Sequence, residues 1–315
     1  MGKSRRRRGS DGGSGEPQEP QEPQEQTITD EQWQEARTPE KIAELTGWEF
    51  TKTKNGSYEF YDREHDMLLV IKNTMLSNHF INANSDGKPV SNKYPDAQSQ
   101  NLNDIARMVY ELPEANKNAT PAIIFKNNFK SDKLGVHSAL KDYWGNPYPG
   151  HVVVINSASF KNHEGHSIRR TLLHETNHAA DFMRGPTGAN VNSREYNGIS
   201  SKQSFRDAIN MDVAKTGSKV TMNSGGYATG SDIYYTESWA DSASIVQLKQ
   251  MGYTNERVTL GNGETITVNE WVDRYPNVYK STAKELETHY STPFEKDASY
   301  NVISDYFIKH YKIHS

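Results

Sequence analysis

The sequence contains no cysteine among its 315 residues, so neither disulfides nor thiolates contribute to its fold or its chemistry. Any bound metal ion must therefore be held by histidine, aspartate or glutamate side chains. The chain also lacks an excess of charge of one sign, because 36 basic and 40 acidic residues leave a net charge of −4. This balance gives no reason to expect nucleic acid as a partner.

Long hydrophobic runs are missing as well. No stretch approaches the ~20 consecutive apolar residues of a membrane-spanning helix. The arginine run at residues 5–8 leads into polar sequence rather than into the apolar segment of a signal peptide. We therefore expect a protein without a membrane span that is cytoplasmic, or that is exported by a non-classical route as an effector or a virion component.

Residues 1–28 combine this arginine run with glycine, serine and a Glu-Pro-Gln repeat. Such a segment has too few apolar side chains to offset the entropy that is lost on ordering, so we predict a disordered tail. Its arginines either remain solvated or dock on an acidic surface.

Residues 29–95 are predicted to form a small α+β module of unknown role. Within it, residues 38–47 carry a proline at the first turn and a glycine at the end, which is typical of a capped helix. Asn55-Gly56 lies between two aromatic segments and predicts a hairpin, and residues 67–71 predict a third strand.

Residues 100–315 are predicted to form the second folded unit. Its pattern indicates, in order, a helix over 102–112, strands over 122–125 and 152–155, a helix over 167–183, and further helices after 232. Strands followed by a metal-binding helix are the order of a zincin domain. We therefore expect an α+β protein with a zincin-like catalytic domain.

The strongest functional signal is at residues 174–178, which read His-Glu-Thr-Asn-His. Apolar residues at helical spacing, with Ser167 as the N-cap, predict one helix, so His174 and His178 stand at i and i+4 on one face. Both imidazoles can then reach a single ion. The alternative interpretation is a polar helix face with two hydrogen-bonded histidines.

The chemistry of zinc hydrolysis explains why this spacing matters. Neutral imidazoles leave zinc its Lewis acidity, and an open coordination position holds a water whose pKa falls towards ~7. Glu175 follows His174 directly, where it can face that water without binding the metal. We therefore expect Glu175 to act as the general base, and then to deliver the proton to the leaving amine.

A catalytic zinc site takes three protein ligands, and Glu237 completes the set best. Asp232 is expected to cap a helix on which Glu237 and Asp241 share one face. Glu237 would bind the metal, while Asp241 would accept a hydrogen bond from a ligand imidazole and fix its tautomer. From spacing alone, Glu237 is equally an exposed carboxylate. Asp181 is a rival, either as a supporting acceptor or as a ligand.

Two segments, residues 173–181 and residues 235–242, resemble the gluzincin peptidases related to the catalytic domain of anthrax lethal factor and to the clostridial Pro-Pro endopeptidases. The resemblance covers roughly residues 100–260. It implies a zincin fold, a zinc cofactor, the ligand role of Glu237 and the supporting role of Asp241.

The same resemblance implies a tyrosine whose hydroxyl stabilises the tetrahedral oxyanion. Tyr227 matches this tyrosine by its local context, but it lies farther from Glu237 than in the family pattern. Tyr234 and Tyr235 are therefore alternatives, and Tyr227 is then a loop aromatic.

Together these features predict a zinc endopeptidase that hydrolyses a protein or peptide substrate, as a toxin or effector or as a phage-borne processing enzyme. The resemblance also implies a peptide substrate that lies extended along a sheet edge such as residues 152–155. The alternative is a catalytically silent zincin scaffold that binds or supports a partner. Cleavage of the chain's own Glu-Pro-Gln segment is a third hypothesis.

Overall fold

The computed structural model describes residues 27–54, 57–71, 102–126, 134–141, 147–156, 167–183, 198–217 and 228–290. Most of the predicted tail, the Asn55-Gly56 turn and Tyr227 lie outside these ranges. The helices are α1 Asp30–Glu35, α2 Pro39–Thr46, α3 Leu102–Tyr110, α4 Glu114–Ala119, α5 Ile168–Met183, α6 Gln203–Thr216, α7 Asp232–Gln250, α8 Val268–Arg274 and α9 Pro276–Glu285. The strands are β1 Glu49–Lys52, β2 Tyr58–Asp62, β3 Met67–Ile71, β4 Ala122–Lys126, β5 Gly135–Lys141, β6 Pro147–Asn156, β7 Arg257–Thr259 and β8 Thr265–Thr267. The α+β class is confirmed.

Local signals placed α2 correctly. The side chain of Thr38 accepts a hydrogen bond from the backbone N–H of Lys41, and Pro39 occupies the first helical turn. Gly47 ends the helix with φ of 74°, a left-handed conformation that costs glycine little. The predicted capped helix is therefore confirmed.

The first six strands form one sheet in the order β1-β2-β3-β4-β6-β5. Strands β1, β2 and β3 pair antiparallel, β3, β4 and β6 pair parallel, and β5 returns antiparallel to β6. Strand β6 is therefore an interior strand, so the prediction that residues 152–155 offer a sheet edge is wrong. The edge beside β6 is β5, which the sequence reading missed.

This sheet is continuous across the predicted border near residue 100. All five residues of β3 are buried, because β3 lies between β2 and β4 with side chains packed on both faces. The main hydrophobic core likewise includes Trp33 and Phe60 together with Trp239 and Trp271. The border therefore does not separate two sheets or two cores.

Helices α5 and α7 pack against each other, and α5 also packs on β5 and β6. Helix α7 is capped by Ser231, whose side chain accepts from the backbone N–H of Tyr234 at 3.2 Å. The predicted cap, Asp232, is instead the first helical residue, where its negative charge favours the helix N-terminus. Among the described residues, no helix is both long and apolar enough to cross a membrane.

Candidate metal centre

Helix α5 brings the two predicted imidazoles together. His174 and His178 are one turn apart, and their Nε2 atoms lie 3.0 Å from each other. The two rings meet edge to face, with 83° between their planes. Both side chains keep a small exposed fraction, 15% for His174 and 11% for His178. Ser167 stabilises the start of α5, since its hydroxyl accepts from the N–H of Arg170 at 3.2 Å.

Helix α7 contributes the third group. The Oε2 atom of Glu237 lies 3.2 Å from Nε2 of His174 and 3.6 Å from Nε2 of His178. Among the described residues, only these three form a cluster whose ligand atoms could hold one metal ion. Glu237 is therefore not an isolated exposed carboxylate.

The three separations can be compared with zinc geometry. Tetrahedral ligands at the usual zinc–nitrogen and zinc–oxygen distances lie about 3.3 Å apart. The observed separations of 3.0, 3.2 and 3.6 Å bracket this value. Two imidazoles and one carboxylate are also a donor set that zinc accepts. The residues present fit a metal ion of this kind.

Asp241 supports the first histidine, as predicted. It follows Glu237 by one helical turn, and its Oδ1 lies 2.8 Å from Nδ1 of His174. This contact directs the Nε2 atom of His174 towards His178 and Glu237 and fixes the tautomer that a metal needs.

Arg170 is a residue of the site that the sequence did not predict. Its guanidinium donates to Oδ1 of Asp241 at 2.6 Å, and both side chains are buried. The ion pair keeps Asp241 charged beneath the imidazole. The available signal was an arginine four residues before His174, on the same face of a helix that is otherwise half apolar.

The charges of the site are strongly coupled. Burial opposes the charged form of His174, but the Asp241 and Glu237 carboxylates outweigh it and raise the pKa of His174 to about 10. Burial also opposes ionisation of Glu237, yet the two imidazoles hold its pKa well below the usual range. A divalent cation satisfies the same carboxylate and replaces the imidazole protons.

Glu175 lies outside the three-residue cluster, on the side of α5 that faces β5. Its side chain is buried, and burial raises its pKa, although the neighbouring histidines oppose this. A carboxyl whose pKa is raised above its ordinary value is a stronger proton acceptor than an ordinary surface glutamate.

Strand β5 forms one wall of the site. The ring of His137 stacks on the ring of His178, with centroids 5.8 Å apart and 20° between the planes. Neither strand β5 nor His137 was predicted. A histidine within a short, weakly patterned segment carries no local signal of this placement.

Asp181 does not join the cluster, which corrects the prediction that it is a ligand. Its carboxylate accepts from the backbone N–H of Ile199 at 2.6 Å and from the hydroxyl of Ser200 at 3.2 Å. Asp181 lies about two helical turns beyond His174, so it is displaced along the helix axis even though it shares the face. It anchors the turn that follows α5.

Both tyrosines at the start of α7 are buried. Tyr234 is completely buried. The hydroxyl of Tyr235 donates to Oδ1 of Asn210 on α6 at 3.2 Å, and Arg206 covers its ring. The hydroxyl of Tyr235 is therefore engaged by α6. Tyr227, the first choice for the oxyanion donor, lies outside the described residues.

No protein-family model, curated protein or solved structure matches the chain. The resemblance to gluzincin peptidases therefore stays a prediction.

Proposed function

We propose that this protein is a zinc-dependent endopeptidase with a zincin-like fold. The observation that supports the proposal most directly is the convergence of His174, His178 and Glu237 from two helices, with Glu175 next to the first histidine but outside the cluster. A metal site without catalysis has no need of that fourth, buried carboxyl group.

Zinc is the metal that the donor set favours. Three protein ligands of nitrogen and oxygen leave a coordination position open, as in catalytic rather than structural sites. When bound there, zinc would supply a Lewis acid for water and for a substrate carbonyl. Asp241 would keep His174 oriented for this role, and Arg170 would keep Asp241 ionised.

Glu175 performs the proton transfers in this proposal. It takes the proton of the attacking water and delivers it to the nitrogen of the leaving amine, so that the peptide bond is hydrolysed without net uptake of protons by the chain. The buried position of Glu175 favours the protonated state that must exist between the two transfers. Tyr227 is the proposed hydroxyl donor to the oxyanion.

The substrate is proposed to be an extended segment of a protein or peptide. Among the described strands, β5 is at the edge of the sheet and lies against α5, so the substrate segment is proposed to extend along β5, next to the cluster of His174, His178 and Glu237. The resemblance to lethal factor supports a toxin or effector role, with a phage-borne processing enzyme as the other setting.

Metal analysis combined with peptide cleavage tests this function. We expect wild-type protein to bind one zinc ion and to cleave members of a peptide library. Glu175→Ala should keep the zinc and lose activity, whereas Glu237→Ala should lose both. Glu44→Ala, which removes an exposed carboxylate on α2, is the matched control and should change neither.

The outcomes separate this proposal from its alternative. Wild-type protein that binds zinc but cleaves no peptide would indicate the catalytically silent zincin scaffold. Wild-type protein that binds no zinc would contradict the metal site itself. Mass spectrometry of the purified chain tests self-cleavage, since an intact residue 1–28 segment in the presence of zinc would remove that hypothesis.

A further inference from the structure

Strand β5 meets α5 through one of its two faces. Successive strand residues point to opposite sides, so Gly135 and His137 share a face while Val136 points the other way. His137 stacks on His178, which shows that this shared face is turned towards the metal helix. Val136 is correspondingly exposed, with 36% of its surface accessible.

At this contact, side chains of α5 occupy the space that a side chain at position 135 would need. A Cβ atom added to Gly135 would lie 2.8 Å from Cγ and from Oε1 of Glu175. It would also lie 2.8 Å from the Cγ2 methyl of Thr171, one turn earlier on α5. Carbon atoms that are not bonded pack at about 3.5–4.0 Å, so no side chain fits here unless these groups move.

The backbone conformation does not explain a glycine at this position. The described glycines with positive φ are Gly47, Gly217, Gly230, Gly252 and Gly263, and Gly135 is not among them. Gly135 is the first residue of β5, and glycine loses more backbone entropy on folding than alanine does. Close approach of the Glu175 side chain is the remaining physical reason for glycine.

The neighbouring backbone supports the same carboxylate. The N–H of His137 donates a hydrogen bond to Glu175. Gly135 therefore provides the space, and the next residue on the same face provides the donor. Together they hold the Glu175 side chain between α5 and β5. In this position Glu175 is next to His174, His178 and Glu237 but is not one of the ligand residues.

We propose that Gly135 is a positioning residue for Glu175. By lacking a side chain, it lets the edge strand hold this carboxylate at the depth where it faces the metal cluster. The packing relationship is independent of any reaction. Its catalytic consequence rests on the proposed peptidase function.

A double-mutant cycle on thermal unfolding tests the packing without using activity. In the wild-type background, Gly135→Ala should lower the unfolding temperature by about 5 °C, because it overfills a packed contact. In a Thr171→Ser, Glu175→Ala background the space is cleared. There, the same Gly135→Ala change should leave the unfolding temperature unchanged or raise it.

Activity tests the catalytic part. Gly135→Ala should retain its zinc and its KM within about twofold, while kcat falls about 10²-fold, because the displaced carboxylate no longer reaches the water. Glu175→Gln gives the reference for complete loss of the base. A fall in kcat without a change in unfolding temperature would mean that Glu175 swings aside freely, and it would still support the positioning role.

Two results would overturn the proposal. In an active enzyme, an unchanged kcat in Gly135→Ala would do so. If wild-type protein proves inactive, the peptidase function is contradicted separately. The double-mutant cycle on thermal unfolding then tests the packing role of Gly135. Equal effects of Gly135→Ala in both backgrounds would overturn the positioning role of Gly135 in that case.

Discussion

Two histidines of this protein each contact two carboxylates, with different results. Nδ1 of His65 lies 2.7 Å from Asp62, and its Nε2 lies 2.6 Å from Glu114. His174 likewise contacts Asp241 through Nδ1, but its Nε2 faces both Glu237 and the Nε2 atom of His178.

The residue types are the same, but the directions of the donors differ. At His65 the carboxylates lie on opposite sides of the ring, so each nitrogen is already occupied. Burial opposes the charged form of His65, but the two carboxylates outweigh it and raise its pKa to about 9. At His174 three donor atoms converge on one point. A candidate metal site therefore differs from an ion pair in the directions of its donor atoms and not in its residue types.

The largest effect is expected where the buried charge of the metal site is left without its partner. Asp241→Ala removes the acceptor of both Arg170 and His174, and Arg170 stays buried with its charge. We expect the free energy of unfolding to fall by about 3–5 kcal/mol. Urea denaturation measures this change.

The corresponding change at the other histidine sharpens the contrast. Glu114→Gln should cost less than 1 kcal/mol, because the side chain of Glu114 is 62% exposed and water replaces its contact with His65. If Asp241→Ala and Glu114→Gln lowered the free energy of unfolding equally, the buried and the solvated carboxylate would contribute equally, which would contradict this expectation.

Zinc should stabilise the protein through the cluster of His174, His178 and Glu237 and not through His65. At a free zinc concentration of 100 Kd, we expect wild-type protein to gain about 2.7 kcal/mol of stability, because the ion binds only the folded site. His65→Gln should keep this gain, and Glu237→Ala should lose it. Thermal unfolding with and without a chelator provides the measurement. If the gain in stability disappeared in His65→Gln, zinc would be acting through His65, contrary to this expectation.

A further small effect concerns the dependence of stability on pH. The folded pKa of His65, about 9, lies above its ordinary value of 6.5, so its stabilising contribution is complete below pH 6.5. The contribution is lost as pH rises through 9. We expect the loss to be about 1 kcal/mol, since one of the two carboxylates is largely solvated.

The measurement is the difference in unfolding free energy between wild type and His65→Gln from pH 6 to pH 10. His174 titrates in the same direction in both proteins, so the difference isolates His65. Parallel profiles of the two proteins would show that the contact between His65 and Asp62 contributes nothing to stability.

The sequence predicted what depends on local signals. The caps of α2, the extent of α5 and the i, i+4 placement of His174 and His178 follow from helical spacing and from residues at the helix ends. The pairing of Asp241 with His174 was also correctly expected, because a one-turn offset from Glu237 restricts where Asp241 can point.

Features set by pairing in space were not predictable in this way. Whether residues 152–155 form an edge depends on a partner strand, β5, whose sequence contains glycine and little alternation. Asp181 shares a helical face with the histidines, yet the turn at Ile199 determines its contacts. Arg170 has a role only because α7 places Asp241 above it.

The donors of the metal cluster come from helices that are far apart along the chain, and this has a mechanical consequence. An ion bound by His178 and Glu237 joins α5 to α7 and closes the intervening chain into a loop. Because the ion binds only the folded site, it would stabilise the fold by mass action and not, as a disulfide does, by restricting the unfolded chain. In this protein without thiols, a bound ion would be a link between two helices that chelators release and reducing agents leave untouched.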